Sequence, residues 1–211
     1  MADAPVNLSE VKRKTHLERL YDRVSKTAAS RFHASRRLSY HNQVSLWTIS
    51  FFSLGLVFVS LVQSIGFVLP YPDKTINLVQ VFLSITILVI SAIMTMSNYA
   101  VRAERYHACG LEMNDLALKL ERRVEKDGTV DEHNTFANIY GEILKRYENH
   151  HSIDFMFMKI QKSERYKLPW WYPGYVHVRF SVQFLPYIAL LGMEFVWIFT
   201  LISNTSFNSV K

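Results

Sequence analysis

The chain has 211 residues, 49% of them hydrophobic, with 24 Lys and Arg against 18 Asp and Glu and a formal net charge of +6. That length holds one membrane unit plus a modest soluble bundle and excludes two independent domains. One cysteine, Cys109, excludes an internal disulfide and gives no sign of an oxidising compartment. The mean hydropathy of +0.04 averages a strongly apolar half against a strongly polar one.

Residues 8–37 read as a basic amphipathic helix, part of a cytosolic N-terminal region spanning 1–43. Leu17, Leu20, Val24, Ala28 and Phe32 recur every three or four residues and form its apolar stripe. About forty mostly polar residues precede the first apolar run, too many for the short basic leader of a signal peptide. The basic positions, including Arg31, Arg36 and Arg37, read as a solvated face and a topology signal. Beside a membrane they also attract anionic lipid heads, at about 1 kcal/mol each. Nucleic-acid contact calls for interleaved aromatic platforms, which this stretch lacks, so no direct nucleic-acid partner is expected.

Two nearly charge-free runs follow. Residues 38–72 hold only Tyr40, His41 and Tyr71 as ionisable groups, and residues 75–101 only Tyr99. Runs of that length cross a bilayer as helices. Joined at Pro70-Tyr71-Pro72-Asp73-Lys74, they predict a transmembrane hairpin over 44–101. The first span, 44–69, is dotted with Ser45, Ser50, Ser53, Gly55, Ser60 and Ser64, small residues that let helices approach closely in lipid. Trp47 marks its cytosolic interface. Nine of the Lys and Arg residues lie in 1–43 and thirteen in 102–179, with only Lys74 and Lys211 elsewhere. Positive charge collects on the cytoplasmic side, so both flanks are expected inside and the tip near Asp73 outside.

The second span is expected to run on into the cytosol as one helix. Ala92, Met96, Tyr99, Ala103, Tyr106, Gly110, Met113, Ala117, Leu120 and Val124 alternate spacings of four and three, an a/d seam. It passes Arg102 with no Pro or turn signal, giving a helix of roughly fifty residues, about 75 Å at the usual rise. Gly110 and the alanines keep the seam thin, so its partner should come close. That partner is either another part of this chain or the same helix in a neighbouring subunit. Asp127-Gly128-Thr129 reads as the stop.

Residues 131–149 read as a second cytosolic helix with one apolar face, Phe136, Ile139, Tyr140, Ile143, Leu144 and Tyr147, folding back on the first. A third amphipathic stretch runs to about residue 167, completing a cytosolic bundle over 102–168. Residues 169–211 hold an aromatic return to the membrane surface, Pro169-Trp170-Trp171-Tyr172-Pro173-Gly174-Tyr175, and a third apolar run over 180–203. That run is expected to span the membrane, with an in-plane or re-entrant helix as the alternative. It carries Pro186 and one acid, Glu194.

Searches for chemistry return little. There is no phosphate-binding glycine loop, no GxSxG, no HExxH and no dinucleotide fingerprint. His150, His151 and Asp154 are too few for zinc, which takes three or four ligands, and read as a capped helix junction. His107 and Cys109 point roughly 200° apart on a helix, so they read as packing. No metal, cofactor or catalytic residue is expected. Glu194, a costly intramembrane acid, is a candidate pore or interface residue. So are Arg102, Glu104 and Arg105 at the bilayer mouth, and Ser97 and Asn98 at the cytosolic end of the second span. Ser91 and Thr95 lie nearby. The competing accounts are a protonated, hydrogen-bonded acid for Glu194, a structural ion pair or lipid phosphate contact for Arg102, and ordinary helix packing for the Ser, Thr and Asn residues.

Three stretches resemble the bacterial family of SMODS- and SLOG-associating two-transmembrane effectors, or SLATT proteins. They are Ala29-Ser30-Arg31-Phe32-His33-Ala34-Ser35-Arg36-Arg37-Leu38; Ser97-Asn98-Tyr99-Ala100-Val101-Arg102-Ala103-Glu104-Arg105-Tyr106-His107-Ala108-Cys109; and Tyr140-Gly141-Glu142-Ile143-Leu144-Lys145-Arg146-Tyr147-Glu148-Asn149-His150, with Asp154-Phe155 after it. The third is most similar to the fifth subfamily. Within these stretches Arg31, Phe32, Arg36, Tyr99, Asn149, His150 and Asp154 carry the likeness. The family is described by two transmembrane helices, and the third apolar run departs from that. The resemblance implies an antiviral effector in the bacterial inner membrane, a homo-oligomer that opens a pore when a neighbour-encoded partner senses phage, killing or arresting the infected cell. In the fifth subfamily the neighbour is often a reverse transcriptase. The expected architecture is an all-α membrane protein: a transmembrane hairpin, a long second helix entering a cytosolic helical bundle, and a third C-terminal transmembrane helix. Two rivals stand beside the pore: a membrane anchor recruiting a reverse transcriptase or nucleotide-signal synthase, and an ion-coupled transporter using Glu194. Against the transporter, no inverted repeat or broken helix pair is evident.

Overall fold

A computed structural model describes residues 15–66, 69–124 and 130–203. Among them every regular element is helical: α1 (His16–Ser64), α2 (Asp73–Ser97), α3 (Tyr99–Val124), α4 (Val130–Arg146), α5 (Ser152–Gln161), a single 3₁₀ turn at Ser163–Arg165, α6 (Tyr172–Val182) and α7 (Leu185–Ser203). Three stretches are long and apolar enough to cross a membrane: α1, the segment Asp73–Val124, and α7. The chain divides into two compact units, residues 1–34 with 104–162 and residues 35–103 with 163–211.

The first unit is a helical bundle. Leu17, Leu20, Val24 and Ala28 of α1 are buried against Cys109, Met113, Leu116, Ala117 and Leu120 of α3 and Ile143 of α4. Phe136, Tyr140, Leu144 and Tyr147 pack around this core, while Ile139 stays exposed. The partner of the a/d seam is therefore this chain's own N-terminal helix. Gly110 is the point of closest approach: a Cβ there would sit 2.9 Å from Cε1 of Phe32. The ring of Phe32 also meets His107 edge-on, 5.6 Å between centroids. Polar links ring the core, with Tyr21 donating to Glu121 at 3.1 Å and Arg123 paired with Glu132 at 3.3 Å. Cys109 is fully buried, and that burial pushes its thiol pKa up.

The second unit joins the later part of α1 to α2, α6 and α7. Val59, Ile76 and Leu201 are buried together, with Leu69, Trp197 and Ile198 around them. Side-chain amides link α1 to α2: Gln63 donates to Asn77 at 3.3 Å and accepts from Gln80 at 2.9 Å. Tyr71 stacks on Trp197 at 5.5 Å.

Four expectations need correction. The N-terminal amphipathic helix and the first span are one helix, α1, because nothing between Arg37 and Val44 breaks the backbone ladder. The long second helix is interrupted. Asn98 adopts a left-handed conformation at φ 47°, capping α2 before α3 begins at Tyr99. Asparagine tolerates that region because its short polar side chain bonds locally, here to the Met96 carbonyl at 3.4 Å. The seam is buried only from Ala103 onward; Met96 is 81% exposed, and Ala92 is exposed too. The third apolar run is also broken, at residues 183–184, so its membrane-length helix starts at Leu185 with Pro186 in the first turn, where a missing N–H costs nothing. The second bundle helix stops at Arg146, leaving Asn149 in a connector. The Asp127-Gly128-Thr129 stop and residues 8–14 of the N-terminal helix lie outside the described residues.

The Gly110–Phe32 contact makes a measurable claim. Gly110→Val places two methyl groups where the ring now lies and should lower the stability of the detergent-solubilised chain by about 1–3 kcal/mol, as overpacked cores do. Equilibrium unfolding followed by circular dichroism checks it, and an unchanged midpoint would sink the packing account.

Candidate functional site

The residues singled out by sequence fall into separate settings. In the second unit Glu194 lies on α7, 7% exposed, with its carboxylate tucked against the backbone of Gly55 on α1. Only glycine permits this, since a Cβ at position 55 would collide with Oε1 and sit 3.1 Å from Cδ1 of Ile198. Beside the carboxylate is a groove of about 590 Å³, otherwise lined by apolar side chains such as Phe51, Phe58, Leu191 and Phe195. Among the described residues no side chain hydrogen-bonds or pairs with Glu194. Gly55 read in the sequence as one of several packing residues, and nothing there singled it out as the seat of this acid.

Ser97 and Asn98 sit at the α2–α3 interruption. The Ser97 hydroxyl donates to the Ile93 carbonyl at 2.8 Å, and Thr95 does likewise to Ser91 at 2.9 Å. Tyr99, just beyond the interruption, stacks on His41 at 5.4 Å. The same imidazole stacks on Phe184 at 4.5 Å and approaches Gln183 Oε1 at 3.2 Å. Arg102 is half-buried and its amide donates to the Asn98 carbonyl at 2.9 Å. Glu104 and Arg105 are exposed, and no ion pair among the described residues joins them. Arg36 is exposed as well.

The first unit gathers most of the remaining motif residues around one connector, 147–151, between α4 and α5. Arg31, read from sequence as part of a solvated basic face, is instead completely buried. It lies on the stripe side of α1, and its neighbours come from α3 and the connector. Its Nη1 donates to the Glu148 carbonyl, and its guanidinium carbon lies 5.5 Å from the Tyr106 ring centroid. Tyr106 donates to the Asn149 carbonyl at 2.9 Å. Tyr147 donates to Glu112 Oε1 at 2.6 Å, and Arg146 pairs with Oε2 of the same carboxylate at 2.6 Å. Asp154, fully buried, accepts the His151 amide at 2.9 Å and caps α5. Four of the five connector residues, Tyr147, Glu148, Asn149 and His151, are thus tied down from α1, α3 and α5. The junction does what a capped turn does, and no cluster of three or more potential metal ligands occurs among the described residues.

His150 differs from its neighbours. Its Nδ1 is buried with no hydrogen-bond partner. Burial lowers its pKa from the ordinary 6.5, the Arg31 charge lowers it further, and Asp154 opposes both. The sign follows: below 6.5 the unfolded chain takes up a proton that the folded one resists, so stability is lost as pH falls from 6.5 toward the lowered value. His150→Gln should lose less stability than the native chain between neutral and mildly acidic pH. Thermal melts across that window check it, and parallel curves would overturn it.

No curated protein and no solved structure matches the chain. A family model described as SMODS and SLOG-associating 2TM effector domain family 5 matches residues 13–201. That span takes in Arg31, the Asn98 interruption, the 147–151 connector and Glu194, and it reaches through all but the last two residues of the third membrane-length stretch, where the family's description counts two. Covering nearly all of the sequence, the match establishes that the chain belongs to SMODS and SLOG-associating 2TM effector domain family 5.

Proposed function

We propose that this effector acts in antiviral defence by assembling with copies of itself in the bacterial inner membrane and opening a pore when a neighbour-encoded partner signals infection. In this reading the N-terminus and the first unit are cytosolic, in line with where Lys and Arg collect. No catalytic step is involved. The observation that carries the reading is α2. No residue of its most apolar stretch is fully buried within the chain, and it presents Leu78, Phe82, Ile85, Leu88, Val89 and Met96 to whatever surrounds it. One chain with so few spans encloses no water path, so a pore requires several copies, and an uncovered helix is available to meet them. The Glu194 carboxylate in its glycine notch supplies the one intramembrane charge such an assembly could use.

A scaffold without a pore is the second reading, and a specific observation favours it. The α2 hydroxyls of Ser84, Thr86, Thr95 and Ser97 all donate to carbonyls four residues back. Hydroxyls satisfied in this way are at ease facing lipid and ask for no water.

Liposome flux separates the two. Purified protein, reconstituted with its neighbour-encoded partner and dyes of graded size, should leak with a sharp size cutoff. Glu194→Gln should reduce that leak, and Gly55→Val, which ejects the carboxylate at a packing cost of about 1–3 kcal/mol, should reduce it more. Tight vesicles together with concentration-independent monomers would favour the scaffold and end the pore reading.

A further inference from the structure

Arginine is permanently charged in proteins, and a buried charge is costly unless something neutralises it. Arg31 is fully buried, yet among the described residues no carboxylate pairs with it. It holds one carbonyl through Nη1 and lies over one aromatic face, leaving Nε and Nη2 without hydrogen-bond partners. Those two nitrogens are the pair that form the side-on fork of a guanidinium, with parallel N–H bonds suited to two oxygens of one oxyanion. A third unpartnered nitrogen belongs to the connector itself: Nδ1 of His150 is buried, two residues beyond the carbonyl that Arg31 holds. Two acids stand in the neighbourhood: Glu148, whose Oε2 is 3.5 Å from the Tyr106 hydroxyl, and Asp154, committed to the His151 amide.

We propose that Arg31 and His150 form a binding site for a phosphate group, covered in this structure by the 147–151 connector. The phosphate takes the two free donors of the guanidinium fork on one edge and the imidazole on another. Entry requires the connector to lift, and the contacts it must break include the Glu148 carbonyl held by Arg31 and the Asn149 carbonyl held by Tyr106. The connector's own side chains suit a cover, since Glu148, Asn149 and His151 are exposed while the groups beneath are sealed. The site is independent of whether the membrane unit forms a pore. Its ligand carries phosphate either on a soluble small molecule or on a lipid headgroup.

The test is thermal unfolding of the full chain in neutral detergent. One arm adds inorganic phosphate or pyrophosphate; the other adds phosphatidylglycerol to the micelles, with phosphatidylcholine as its control. A rise in melting temperature in the first arm identifies a soluble phosphate, and a rise in the second alone identifies a headgroup. Arg31→Met should abolish the rise. In the absence of ligand it should melt no lower than the native chain, because it removes an uncompensated buried charge. Arg31→Lys keeps the charge without the fork and should weaken binding about tenfold, which decides the matter if Arg31→Met fails to fold. No rise in either arm, or the same rise in both Arg31 variants as in the native chain, overturns the proposal.

Discussion

Lipid offers no hydrogen-bond partners to a backbone, so every peptide group in a spanning segment must be satisfied by the segment itself. The second unit is organised around that demand. Its serine and threonine hydroxyls turn back to carbonyls one turn earlier, among them Ser50, Ser53, Ser60, Thr86 and Thr200. Its two helix interruptions, at Asn98 and at 183–184, share one side chain. The His41 ring lies against Tyr99 beside the first and Phe184 beside the second. A backbone that leaves its ladder at two places is held by one imidazole sandwiched between rings. The Asn98 carbonyl still accepts the Arg102 amide, so the left-handed step keeps its acceptor occupied.

The first unit is closed by side-chain packing instead. Its stripe of small and large apolar residues closes α1 on α3 at coiled-coil spacing, and Gly110 sets how near they come. Within that seam Arg31 is the exception. An apolar residue would satisfy the stripe with less electrostatic cost, so the guanidinium sits there against the packing preference of its own helix. The connector it holds is fastened again by Tyr106, Glu112 and Asp154. One short loop thereby collects ties from three helices.

Much of this was legible because the signals were periodic or extreme. Charge-free runs gave the apolar helices, and the four-and-three spacing gave the seam from Ala103 to Leu120. A period tells which residues share a face but not what covers it, so Ala92 and Met96 obey the spacing and remain bare. The interruption at Asn98 had no glycine or proline to announce it. Arg31 was misread because a charge on an amphipathic helix is ordinarily solvated, and its burial depends on residues far along the chain. Glu194 stood out as a lone acid in an apolar run. Gly55, its counterpart, was hidden among serines of similar size.

Cys109 carries a practical consequence. It is the chain's single thiol, it is sealed in the first unit's core, and burial holds it in the unreactive protonated form. The native sequence is therefore already a silent background for site-directed spectroscopy. A cysteine introduced at one exposed position of α2 or α7 would be the one place a spin label or fluorophore attaches. Distances between copies in a bilayer could then be read without first engineering the natural thiol away.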